Sequence, residues 1–152
     1  MDPAALKESW TRVCAAGGDA VALYFYSHLA LCEPAIRDMF PLGMAGQRDK
    51  FVNALGTIVA SADQAERLGA FLAKLGSDHV EFGTKPEHYP PVGASLLATL
   101  AHFEGAAWTP DLAANWAEAY QVISAVMLEA AGKTENGEST ENSGTDRPGT
   151  WR

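Results

Sequence analysis

Apolar residues recur at intervals of three and four along most of this chain, and that spacing narrows what it can fold into. Val21, Phe25, Leu29 and Cys32 form one such series, and Leu68, Leu72 and Leu75 another. A third runs Leu112, Trp116, Ala119, Ile123, Val126 and Ala130. Side chains at this spacing stack on one face of an α-helix. No segment sustains the period-two alternation of a half-buried strand, so no strand is expected. The fold class is therefore all-α, with about six or seven helices packed across one another.

Local signals place the helix ends. Asp2-Pro3 reads as an N-cap followed by proline at the first helical position, and Thr109-Pro110 repeats the pattern. Leu6, Trp10 and Val13 carry the first helix, which Gly17-Gly18 breaks. Glu33-Pro34 opens a short helical turn ending near Met39-Phe40, and Pro41-Leu42-Gly43 reads as loop. Phe51, Leu55, Ile58 and Ala62 mark a helix starting near Gly46. The Leu68 series should end before Gly83, and Pro86 should open a long helix carrying Tyr89, Val92, Leu96, Leu100 and Phe103.

With 152 residues, 47 % of them hydrophobic, the chain suits one domain with a packed core. The composition changes after Ala131. Residues 132–152 are polar, rich in Gly, Ser, Thr, Asn and Glu, and predict a disordered tail or linker. The expected domain is thus 1–131. A net charge of −8 argues against a nucleic-acid or anionic-membrane partner. No apolar run is long enough to span a membrane, and no signal peptide is recognised. Cys14 and Cys32 are too few for a disulfide framework and read as buried free thiols in a cytoplasmic protein.

No phosphate-binding glycine loop, CxxC pair, HExxH or Gly-x-Ser-x-Gly occurs, so a self-contained hydrolase, kinase or NAD(P) enzyme has no support. Four histidines remain. His79 extends the stripe Leu68, Leu72, Leu75 by four residues, which puts an imidazole on an inward helix face. It is either a hydrogen-bonded core histidine or an axial metal or haem ligand. His88 lies off that stripe between prolines, and His28 and His102 read as surface or helix-face residues. Gln47 heads the stripe Gln47, Phe51, Ala54, Ile58, as a backbone cap or as an inward amide. Tyr26, beside Phe25, is either an ordinary interior tyrosine or part of a site. Three inward polar groups on three helices are costly unless something satisfies them, and a bound group in an apolar pocket would do so.

The order of these residues resembles a globin, more narrowly the haem domain of flavohaemoglobins and single-domain bacterial haemoglobins. The resemblance covers about residues 4–131. It is carried by KESW (7–10), LYFYSHLALCEPAIRDMF (23–40), QRDKFVNALG (47–56), LGSDHVEFGTKPEHYPPVGASLLATL (75–100) and NWAEAYQVISAVM (115–127). It implies a globin fold around haem b (iron protoporphyrin IX), with His79 as the axial iron ligand. Tyr26 and Gln47 would then face bound gas and carry the catalysis. Phe25, Phe40, Phe51, Ala54, Tyr89, Val92 and Leu96 would line the haem pocket.

There are departures from the family pattern. Asp78 stands where a lysine usually precedes the axial histidine. Phe51 replaces a leucine-like residue and should narrow the gas-binding side. The family's glutamate partner of the proximal tyrosine aligns with Lys133, with Glu129 one turn away. No reductase sequence accompanies the haem-domain sequence.

The resemblance implies tight O₂ binding and nitric oxide dioxygenase chemistry, with electrons from a separate reductase or a further domain. NO and CO are further expected ligands, and a monomer or weak homodimer is expected. Two alternatives remain at this point. One is an O₂ storage, scavenging or sensing globin without turnover. The other is a haem-free helical interaction module.

Overall fold

The computed structural model describes residues 1–40 and 44–135. Those residues form seven α-helices and two short 3₁₀ turns, with no strand among them. The helices are α1 (Pro3–Gly17), α2 (Ala20–Cys32), α3 (Pro34–Arg37), α4 (Ala45–Ala60), α5 (Ala65–Glu81), α6 (Tyr89–Glu104) and α7 (Pro110–Glu135). The 3₁₀ turns are Pro86–His88, which leads into α6, and Gly105–Ala107, which follows it.

The sequence signals act at the helix ends as expected. Asp2 Oδ1 accepts from the Ala5 amide at 3.2 Å, and Thr109 Oγ1 accepts from the Leu112 amide at 3.2 Å. Gly18 (φ 51°) and Gly83 (φ 90°) take the left-handed backbone conformations that follow α1 and α5. One difference lies at Pro86. The long helix expected from there is a 3₁₀ turn that becomes α-helical only at Tyr89. Two prolines, Pro90 and Pro91, occupy the first turn of α6, where missing N–H groups cost least.

The core has two parts. Leu6, Val13, Phe25, Leu29, Leu55, Leu100 and Trp116 belong to the larger cluster, which joins α1, α2, α4, α6 and α7. Leu68, Leu72, Tyr89, Ile123 and Met127 form a second cluster from α5, α6 and α7. Close approach of α5 and α7 depends on Gly76, where a β-carbon would overlap the Met127 carbonyl. Gly93 plays the same part on α6, leaving room for the Tyr120 ring.

A buried polar knot ties α1 to α6 and α7. Trp116 Nε1 donates to Ser9 Oγ at 3.0 Å, and the Ser9 hydroxyl donates to the Glu104 carboxylate. Arg12 grips the same carboxylate through Nε at 2.8 Å and Nη2 at 3.0 Å. Burial works to raise the Glu104 carboxyl. The Arg12 and Ser9 hydrogen bonds, with the Arg12 charge, outweigh it and hold the group below its ordinary value.

Two expectations need correction or restatement. Cys32 is exposed at the last position of α2 and Cys14 is half-buried, so neither is the buried thiol expected, although both are free. Cys32 stands at the C-terminal end of α2 with its Sγ 3.7 Å from His28 Nδ1, one turn back on the same helix. The helix α7 also continues past residue 131 to Glu135. Thr134 anchors that extension, donating to the Ala130 carbonyl at 3.2 Å with Ser77 Oγ 2.9 Å away on α5. The rest of the expected tail, 136–152, and the expected loop at 41–43 lie outside the described residues. No described helix is long and apolar enough to cross a membrane.

Gly76→Ala should lower stability by about 1–3 kcal/mol, the usual range for overpacking, because backbone rather than a flexible side chain must move. Thermal denaturation would read this as a Tm several degrees lower; an unchanged Tm would contradict the close α5–α7 approach. Glu104→Gln should cost about 1–3 kcal/mol at pH 7. A carboxylate with a depressed folded pKa stabilises the fold above its unfolded pKa, and loses that effect as pH falls through the folded pKa. The gap between wild type and variant should therefore close below about pH 4 in denaturant titrations.

Candidate functional site

A cavity of about 460 Å³ lies between the two core clusters. It is within the range of small-molecule sites and is lined mostly by aromatic and aliphatic side chains. All ten expected site residues line it: Phe25 and Tyr26 from α2, Phe40 after α3, Gln47, Phe51 and Ala54 from α4, His79 from α5, and Tyr89, Val92 and Leu96 from α6.

His79 is half-buried near the end of α5, and its Nδ1 lies 2.7 Å from the Leu75 carbonyl one turn back. A carbonyl only accepts, so Nδ1 carries the proton and the ring's lone pair sits on Nε2. Burial pushes the His79 pKa below its ordinary value. The Leu75 bond and the Asp78 charge work against that without reversing it. The ring is therefore a neutral imidazole at pH 7, the form that ligates metals.

Tyr26 and Gln47 meet at the cavity from different helices. Gln47 Nε2 donates to the Tyr26 hydroxyl at 3.2 Å, which leaves the Tyr26 proton available to a further acceptor. Gln47 is only 5 % exposed, and its Oε1 is buried with no partner. A buried amide oxygen left unpaired costs about 1–3 kcal/mol. Burial pushes the Tyr26 phenol up to about 12, the Gln47 bond opposing this, so it stays protonated as a donor at any physiological pH.

Aromatic rings hold this pair in place. Phe51 stacks on Phe25 with centroids 4.2 Å apart, and Tyr26 meets Phe25, Phe40 and Phe51 edge-on at 4.9, 5.3 and 5.7 Å. Phe51 fills space beside Tyr26.

On the α6 side, Tyr120 donates to the Tyr89 carbonyl at 2.7 Å and so fixes the start of that helix. Burial raises the phenol pKa of both tyrosines. Lys74 and Asp78 form an i,i+4 ion pair at 2.9 Å along the cavity rim, so the aspartate in the place of the family's lysine has its own cation one turn back. Lys133 and Glu129 are both exposed on α7, and neither lines the cavity.

The other histidines separate cleanly. His88 lines the cavity edge, half-buried, and its Nδ1 accepts from the Lys85 amide at 3.0 Å as a cap of the 3₁₀ turn. His28 and His102 lie outside the cavity. His28 Nδ1 is 2.8 Å from Ser95 Oγ, and exposed His102 stacks on Tyr24 at 4.4 Å. Ile36, Tyr120, Ile123 and Met127 also line the cavity and were not anticipated as site residues. Ile123 was on the α7 stripe, but nothing local to it distinguishes a cavity wall from filled core.

A model of the Globin family matches residues 23–127. Among curated proteins, a Flavohemoprotein of Rhizobium meliloti (strain 1021) is 28 % identical over 142 residues, 91 % of this chain and 34 % of that protein. A Flavohemoprotein of Deinococcus radiodurans is 30 % identical over 142 residues, 90 % of this chain and 33 % of that protein. This chain thus spans about a third of the length of these relatives. A solved structure, the closed form of HGbRL's globin domain, is 33 % identical, covers 84 % of this chain and 91 % of that one, and has a TM-score of 0.42.

Replacing both members of the buried pair, as in Tyr26→Phe with Gln47→Leu, removes the orphaned oxygen along with its partner. Such paired apolar replacements are nearly neutral or stabilising. The double variant, measured without added ligand, should melt at or above the wild-type Tm. A marked loss of stability would show that the pair serves the fold rather than a ligand.

Proposed function

The chain belongs to the globin family, and we propose that its cavity holds haem b, binds O₂ tightly, and supports nitric oxide dioxygenase activity when electrons are supplied. One observation carries the reading. A neutral imidazole with its lone pair on Nε2 and a buried Tyr–Gln pair line the same apolar cavity. That donor set fits a flat, apolar metal macrocycle with a gas ligand, and the names of the flavohaemoprotein relatives support it.

When bound, haem b would supply a redox-active iron able to bind O₂, and the overall conversion NO + O₂ + e⁻ → NO₃⁻ would take its one electron from that group. The chain's residues do the rest. His79 would hold the iron, with Nδ1 tied to Leu75 so that the ring cannot turn. Tyr26 keeps its proton and donates it as a hydrogen bond toward the ligand, held in line by the Gln47 amide beneath it. Gln47 supplies a second donor if its amide turns toward the ligand. Phe25, Phe40 and Phe51 exclude water, which strengthens both bonds. Each such bond contributes about 0.5–1.5 kcal/mol, so the pair retains O₂ roughly tenfold or more better than an apolar pocket. Slow release suits capture of NO better than O₂ delivery. The electron would come from a flavin reductase, as a separate protein or a further domain.

Tyr26→Phe should raise the O₂ dissociation rate about two- to twelvefold, measured by stopped-flow displacement with CO. An unchanged rate would remove Tyr26 from the mechanism. With NADH and a supplied flavin reductase, the protein should consume NO steadily and release nitrate in equal amount. O₂ binding without NO consumption would leave an O₂ store, scavenger or sensor.

A further inference from the structure

A second cavity of about 170 Å³ backs onto the first. Tyr26, Leu29, Ile36 and Phe40 contribute to the walls of both, so these side chains are the partition between them. Leu23 and Ser27 on α2 and Arg37 at the end of α3 are exposed, which brings this cavity to the surface. Arg48, in the first turn of α4, lines it as well.

Its charge is opposite to that of the whole molecule. The chain carries a net −8, yet two arginines, Arg37 and Arg48, line this one cavity. The exposed carboxylates Asp38 and Asp49 adjoin them in sequence, but none of the ion pairs among the described residues involves Arg37 or Arg48. Met44, the residue before α4, also lines the cavity, and no side chain caps that helix start. The positive end of a 16-residue helix therefore adds to the two arginines. The rim of the main cavity differs, because Lys50 and Lys74 there are matched by Asp78 and Glu81.

We propose that the second cavity is a binding site for a small monovalent oxyanion. Arg37 and Arg48 are its contacts, and the Tyr26–Phe40 pair, edge-on at 5.3 Å, is part of the wall it shares with the main cavity. The volume suffices, since a water occupies about 30 Å³ and a planar oxyanion only somewhat more. An anion in the apolar main cavity is poorly solvated there, and two cations behind one wall lower its free energy. The identity of that anion as nitrate rests on the activity proposed above; the binding site itself does not.

The test has two arms. Nitrate is titrated into ¹⁵N-labelled protein at constant ionic strength, with backbone amides followed by NMR. Saturable shifts are expected at residues 37, 44 and 48, and their loss in Arg37→Gln/Arg48→Gln, whose spectrum otherwise keeps its wild-type pattern. No localised shift, or the same shifts in the variant, would overturn the site. In the second arm the haem-loaded ferric protein takes up azide and the ferrous protein takes up CO. At low salt the variant should bind azide about tenfold more slowly, with CO unaffected, since only the anion is steered by charge. Equal azide rates would overturn the idea that Arg37 and Arg48 draw anions toward the main cavity. Localised nitrate shifts in a protein that takes up no haem would refute the proposed activity and leave the oxyanion site standing.

Discussion

The hydrogen bond from His79 Nδ1 to the Leu75 carbonyl fixes the chemistry of the main cavity. It selects the tautomer, sets the ring's rotation and leaves the lone pair on Nε2. The bond is local, one turn of α5, but its position in space is not. The helix is held against α7 where Gly76 meets the Met127 backbone, and it is tied again where Thr134 reaches Ser77. The placement of one imidazole therefore depends on the long last helix being in register with α5.

The remaining architecture makes room without collapse. Two core clusters pack separately, and the cavity is the gap between them. Closing it would gain apolar contact, but it would also bury the Tyr26–Gln47 pair more deeply with Gln47 Oε1 still unpaired. The Ser9–Glu104–Arg12–Trp116 knot sets the spacing of α1, α6 and α7 away from the site, so that the site need not be its own scaffold. A cavity with costly polar groups and a rigid surround is what a ligand-binding fold requires.

Much of this was legible in the sequence because helical stripes report burial directly. Leu72, Leu100 and Trp116 are buried where the period puts them, and Gln47 is buried at the head of its own stripe. The caps at Asp2 and Thr109 were equally plain, since capping needs only residues within one turn. What stayed hidden depends on distant pairing. Glu104 looks like a surface carboxylate until Ser9 and Arg12, more than ninety residues earlier, close on it. Cys32 fits the α2 stripe, yet at the last position of that helix it is exposed. The polar run after Ala131 reads as tail, yet its first four residues stay helical because Thr134 finds Ser77. The second cavity has no linear signature, because Arg37 and Arg48 come together only once α3 and α4 fold beside α2.

The central claim is that His79 makes this cavity a haem site. Its most direct test is a hemin titration of the purified protein, followed by absorption in the ferric, dithionite-reduced and CO-bound states, for wild type and His79→Gly. The account predicts a saturating one-to-one Soret band that shifts sharply with CO in the wild type. It predicts an altered band in the variant that added imidazole returns toward the wild-type form. No saturating Soret band in the wild type, or an identical spectrum in the variant, would contradict it.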